Sequence, residues 1–151
     1  MTAALLFVSL LAVDHYSLAK SYFSAQNYVS AEREALAAVK ASPKSGDAHR
    51  LLGTVYSVRG NLNGAVTEFQ AAIKLNAKDA NAHYNLGVAY FKLKKWTDSE
   101  KSLTTAITLN PKDAAAYELR ASVYDNLRNT KAASADRQAA TALKKTTYTL
   151  Q

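Results

Sequence analysis

The chain has 151 residues, is 48% hydrophobic, carries a formal net charge of +7, and contains five glycines, two prolines and no cysteine. That length suits one domain. Absence of cysteine excludes disulfides and thiolate metal sites without deciding between a cytoplasmic and an exported setting, and scarce Gly and Pro fit a helical chain.

Residues 1–11, MTAALLFVSLL, carry no charge. Even with Ala12 and Val13 the run is too short for a bilayer, which needs ~20 apolar residues. No Lys or Arg precedes it, and no small-x-small cleavage site is present before Asp14. It reads first as an N-terminal helical extension covering the apolar end of the helical region from residue 12 onward. Its second reading is the apolar core of a signal peptide. The first implies a cytoplasmic protein and the second an exported, periplasmic one. Membrane association would have to run through residues 1–13.

The rest divides into windows of equal length. In 12–45, helices are expected near 12–25 and 28–41, with Asn27 at the corner and Pro43 as the stop. His15, Leu18, Ala19 and Tyr22 mark the packed stripe of the first helix, and Tyr28, Ala31, Ala35 and Ala38 that of the second. In 46–79 the same places hold His49, Leu52, Gly53 and Tyr56, then Leu62, Ala65, Phe69 and Ala72, with Gly60-Asn61 at the corner. In 80–113 they hold His83, Leu86, Gly87 and Tyr90, then Trp96, Ser99, Leu103 and Ala106, with Lys94-Lys95 at the corner and Asn110-Pro111 at the end. Thr97-Asp98-Ser99-Glu100 reads as a capping box there. Asp79 and Asp113 precede the next first helices, where a carboxylate satisfies orphan N–H groups. In 114–147 the pattern decays to Tyr117, Arg120, Ala121 and Tyr124, then Ala133, Arg137 and Ala140. Thr146–Gln151, including the tail 148–151, is β-prone. With no solvating final helix visible, the last pair is expected to fray or to dock on something else.

Four helix pairs in strict 34-residue phase resemble the tetratricopeptide repeat, whose pattern of a large residue, Leu, Gly, Tyr, then Ala, an aromatic, Ala and Pro they follow with substitutions. The resemblance covers about residues 12–147. It implies an all-α, right-handed solenoid of antiparallel helix pairs, with more than the roughly three repeats that self-support. It also implies that the first helices line a concave groove. That face is expected to carry Tyr16, Lys20 and Phe23, then Arg50, Thr54 and Ser57, then Asn81, Tyr84, Asn85, Val88, Phe91 and Lys92, then Glu118, Ser122, Asp125 and Asn126. Aromatics interleaved with cations in the first three repeats lead us to expect a protein or peptide partner that is acidic with apolar anchors. Relatives that grip a chaperone's C-terminal carboxylate use a Lys and Asn clamp. Asn85 matches it and Arg50 could stand for a Lys, but Thr54, Ala115 and Leu119 do not match, so that ligand is not expected.

No catalytic or cofactor constellation emerges. The three histidines recur at 34-residue spacing on the first helices of the first three repeats, and Tyr117 takes the fourth place. Packed helices lie ~8–10 Å apart and Zn–N bonds are ~2.0–2.1 Å, so helix packing rather than metal is expected of them. Gly53 and Gly87 lie alone inside helices, unlike phosphate-loop glycines, and suggest close helix approach. No nucleophile elbow or apolar carboxylate pair emerges from the sequence. We therefore expect no enzyme, no cofactor and no small-molecule substrate. Arg120 stands in a packed Leu slot opposite Asp136, and an ion pair is expected. The charge excess is +1, +1, +2 and +3 across the four windows, a spread that does not call for nucleic acid. The reading is an interaction module or adaptor. Its alternatives are a structural subunit of a larger assembly, for instance an envelope-associated one, docking through its ends, and an RNA-binding superhelix.

Overall fold

Each helix of the chain has one apolar stripe and must bury it on a neighbour. The computed structural model describes residues 14–149; the expectations for residues 1–13 lie outside them. Four helix pairs follow one another: α1 (His15–Ser24) with α2 (Tyr28–Ala41), α3 (Gly46–Val58) with α4 (Leu62–Leu75), α5 (Ala80–Lys92) with α6 (Trp96–Leu109), and α7 (Ala114–Asn126) with α8 (Thr130–Thr149). Each pair packs on itself, and each second helix packs on the first helix of the next pair. First helices of successive pairs also touch, α1 on α3, α3 on α5 and α5 on α7, while among the described residues the second helices do not touch one another. That asymmetry places the first helices on the inside of the curve. Among the described residues no helix is long and apolar enough to cross a membrane.

The corners are built alike. The backbone N–H of Asn27, Asn61, Lys95 and Asn129 donates to the carbonyl of Tyr22, Tyr56, Tyr90 and Tyr124. The residue before each adopts positive φ: Gln26, Lys94 and Arg128 at 58° and Gly60 at 83°. Helix starts are capped by Asp14, Asn27, Ser45, Asn61, Asp79 and Asp113, each side chain accepting from a backbone N–H of the first turn. So α1 begins after Asp14 rather than near residue 12. The capping box expected at 97–100 is absent. Lys95 occupies the cap position of α6 without a side-chain cap bond, and Ser99 is buried, its hydroxyl donating to the Gly87 carbonyl at 2.8 Å. The box motif fails because those residues are already inside the first turn.

The glycine slot is explained by what faces it. A Cβ on Gly53 would lie 2.7 Å from the Phe69 ring, and one on Gly87 2.7 Å from Leu103. Where the slot holds Ala19 or Ala121, the equivalent position across the pair holds Ala35 or the exposed Arg137. Backbone approach and side-chain bulk are exchanged repeat by repeat, as dense packing requires.

The last pair differs from the expected fraying end. Its second helix runs to Thr149, so the tail through that residue is helical rather than strand-like. In the earlier pairs Ala35, Phe69 and Leu103, together with Val39, Ile73 and Ile107, are buried or half-buried. Ala35, Val39, Phe69 and Ile73 belong to clusters shared with the following first helix. On α8 the same positions are Arg137 and Thr141, flanked by Ser134 and Gln138, all exposed. The outer face of α8 is polar, and helical order there needs no further apolar cover.

Candidate functional site

The seam of side chains along the first helices is the candidate site. Tyr16 and Lys20 share a turn of α1, the Lys20 Nζ lying 5.0 Å from the Tyr16 ring centre. On α3, Arg50 donates to Asp47 Oδ1 at 2.7 Å and to Asp79 Oδ2 at 3.0 Å. Asp79 also caps α5, so one carboxylate ties two repeats. Burial works against the Arg50 charge, but the Asp47 and Asp79 carboxylates more than offset it and hold the guanidinium pKa above its ordinary value. On α5, Lys92 Nζ reaches back to Ser57 Oγ of the preceding repeat at 3.4 Å. Tyr84 is half-buried, and that burial, with the neighbouring Asp113 and Glu118 carboxylates, pushes its hydroxyl pKa up.

Tyr16 and Lys20 thus meet on α1, and the Arg50–Asp79 and Lys92–Ser57 links join α3 to α5, the helix that also carries Tyr84. Asn81 and Asn85 lie on α5 as well, and neither side chain has a hydrogen-bond partner among the described residues; Asn85 is half-buried and Asn81 exposed. Three expectations change. Arg50 is a paired cation that holds two repeats together, so the free positive potential of the seam rests on Lys20 and Lys92. Thr54 turns its hydroxyl to its own helix, donating to the Arg50 carbonyl at 2.9 Å. Phe23 and Phe91 sit at the corners, edge-to-face on Tyr28 and Trp96 with ring centres 5.5 and 5.3 Å apart. At the far end Glu118 pairs with Lys144 and Asp125 with Arg137. A cavity of about 300 Å³ opens at the near end, where Asp14, His15, Tyr16, Ser45 and Asp47 line it.

The histidines have a use the sequence reading missed. His15 Nδ1 and His49 Nδ1 each lie 2.7 Å from a glutamate, Glu34 and Glu68, on the second helix of the same pair. Those glutamates are themselves 34 residues apart, so the repeat phase held the signal. In the third repeat the glutamate place holds Ser102, and His83 keeps only a contact between Nε2 and the Ala77 carbonyl, matching that of His49 with Pro43. Among the described residues no three His, Asp or Glu side chains gather closely enough to hold a metal. The expected pair is present: Arg120 donates twice to Asp136 at 2.8 Å, once to Thr104 Oγ1 at 3.0 Å, and lies over the Tyr117 and Tyr124 rings.

Fold and seam define a helical-repeat solenoid with a side-chain-lined inner face. Sequence-family models described as tetratricopeptide repeat match residues 16–65 and 80–113, and one described as TPR repeat matches 58–94. The chain belongs to the tetratricopeptide-repeat family. No curated protein matches the sequence. Among solved structures, a MamA crystal structure superposes with a TM-score of 0.87 at 20% identity, covering 95% of this chain and 87% of that one. MamA (residue 41 to the end) from Desulfovibrio magneticus gives 0.82 at 18%, covering 87% and 75%. YrrB, described as a TPR protein with an unusual peptide-binding site, gives 0.80 at 21%, covering 91% and 71%. At such identities the likeness concerns the fold.

Proposed function

We propose that the chain is a non-enzymatic interaction module that holds a peptide segment of another protein along its first helices. The observation that carries this reading is Asn85: a half-buried amide at the middle of the inner face, flanked by Tyr84, with no hydrogen-bond partner among the described residues. A side-chain amide offers both donor and acceptor to the backbone of an extended ligand. Tyr84 adds rigid contact area of the kind that dominates interfaces, and YrrB, a structural neighbour, is described as having a peptide-binding site. Lys20 and Lys92 favour an acidic ligand with apolar anchors, and their charge acts mainly on association rate. The polar outer face of α8 gives docking through that end little apolar area to bury.

Peptide display against the folded protein tests the reading. Selected peptides should be enriched in Asp and Glu around an apolar residue, and should be lost on Asn85→Ala combined with Tyr84→Ala. Retention by that variant, with its helical circular dichroism intact, would contradict it.

A further inference from the structure

The corner of the third repeat breaks a rule that the other three keep. Asn27, Asn61 and Asn129 each cap the second helix of their pair, their side-chain oxygens accepting from the backbone N–H of Ser30, Gly64 and Ala132. Lys95 occupies that place in the third repeat and makes no cap bond. It sets a cation at the N-terminus of α6, where the helix dipole is already positive. Lys94 beside it adds a second charge at positive φ. Departures from local preference concentrate where function is served.

Three cations, Lys92, Lys94 and Lys95, are exposed here, and none has a carboxylate partner among the described residues. Lys95 lies 6.0 Å from the Tyr90 ring centre. They flank the Phe91–Trp96 pair, whose rings are half-buried. No other corner combines the two features. The first repeat has Phe23 and Tyr28, but Ser24, Gln26 and Asn27 in the lysine places; the second has Ser57 and Leu62 in the aromatic places; the fourth has Arg128, but Asp125 and Thr130 in the aromatic places.

We propose that this corner receives the acidic part of the ligand: a run of Asp or Glu in a protein segment, carrying an aromatic or large aliphatic side chain against Phe91 and Trp96. The proposal rests on the groove reading and fixes its register, because Lys92 belongs to both, reaching Ser57 on the inner face while standing three residues from Lys95. Charge complementarity selects the occupant. A protein segment fits better than a nucleic acid, whose evenly charged backbone would meet Asp98 on α6 and the paired Asp125 at the next corner.

Trp96 is the chain's single tryptophan, so its emission reports on this corner. The probe is a short synthetic peptide of Asp and Glu carrying one Phe, with its Lys counterpart and oligouridylate as controls. The acidic peptide should shift Trp96 emission and bind with an affinity that falls as salt rises. Lys94→Glu with Lys95→Glu should weaken binding roughly tenfold. Lys95→Asn alone should weaken it while raising the melting temperature, separating lost affinity from lost fold. If Asn85→Ala with Tyr84→Ala abolishes binding but the Lys94 and Lys95 substitutions do not, this inference falls and the groove reading stands. If the acidic peptide does not bind at all, both fall. Tighter binding of oligouridylate than of the acidic peptide overturns the choice of partner.

Discussion

At Gly87 two opposed effects meet. Alanine in a helix interior is favoured over glycine by ~1 kcal/mol, and Ala19 and Ala121 occupy the same slot in other repeats, which suggests that Gly87→Ala is mild. The 2.7 Å approach of a built Cβ to Leu103 reverses that conclusion, since overpacking costs ~1–3 kcal/mol. Gly87→Ala should therefore be neutral to destabilising by up to about 2 kcal/mol in denaturant unfolding, and Gly87→Leu worse. In a Leu103→Ala background the same Gly87→Ala change should become stabilising. Equal effects in both backgrounds would remove the compensation argument. The Arg120–Asp136 pair offers a second residue-scale check. With two parallel hydrogen bonds between side chains only 14% and 9% exposed, a double-mutant cycle should return a coupling of ~1–3 kcal/mol; additive effects would mean that the pair is incidental. Both slots were legible in the sequence. What was not legible at Gly87 was the facing residue, because a repeat pattern aligns equivalent positions and says nothing about which bulk each one meets.

Helix ends carry the next set of consequences. Replacing Lys95 with Asn should restore the cap found at the other corners and stabilise the protein by ~0.5–2 kcal/mol, with no change in unfolding slope; an unchanged midpoint would show that Lys95 carries no penalty. Glu34 ties α2 to α1. Its hydrogen bonds from His15 and then Arg33 hold its carboxyl pKa below the ordinary glutamate value. A carboxylate lowered in the folded state adds stability that is fully present above its unfolded pKa and is lost as pH falls through the folded one. Stability measured from about pH 6 down to about pH 3 should therefore fall less steeply in Glu34→Gln than in the parent, and parallel curves would contradict the tie. Sequence reading placed the first three corners and the caps Asp79 and Asp113 because Asn, Asp, Gly and Pro act locally; it did not name Asp14, Asn27, Ser45 and Asn61 as caps. It misplaced the cap of α6 because Thr97 and Ser99 looked like capping residues while the shared corner geometry had already started the helix at Trp96. It placed α8 but not its extent to Thr149, and it took the polar outer face for decay, because that face reads as a broken repeat until the buried positions of the other three are set beside it.

Over the whole molecule, the 34-residue phase was enough to specify the solenoid, since every repeat needs the same few packing residues and each can be checked against three others. The sequence marked the first helices as the ones that meet from repeat to repeat, but not the roles of their side chains. Arg50 looked like a free groove cation and is instead shared between Asp47 and Asp79; Asp79 caps the first helix of the next repeat, a relation no local pattern displays. The central claim is that a partner segment lies along the first helices. Its most direct test is to titrate a display-selected peptide into isotope-labelled protein and follow every backbone amide by NMR. Shifts are predicted to concentrate on α3 and α5, around Tyr84, Asn85 and Lys92 and the corner at Lys94 and Lys95, with residues on the opposite face such as Lys74 unmoved. Shifts confined to α2, α4 and α6 away from that corner, or to the outer face of α8, would contradict the claim.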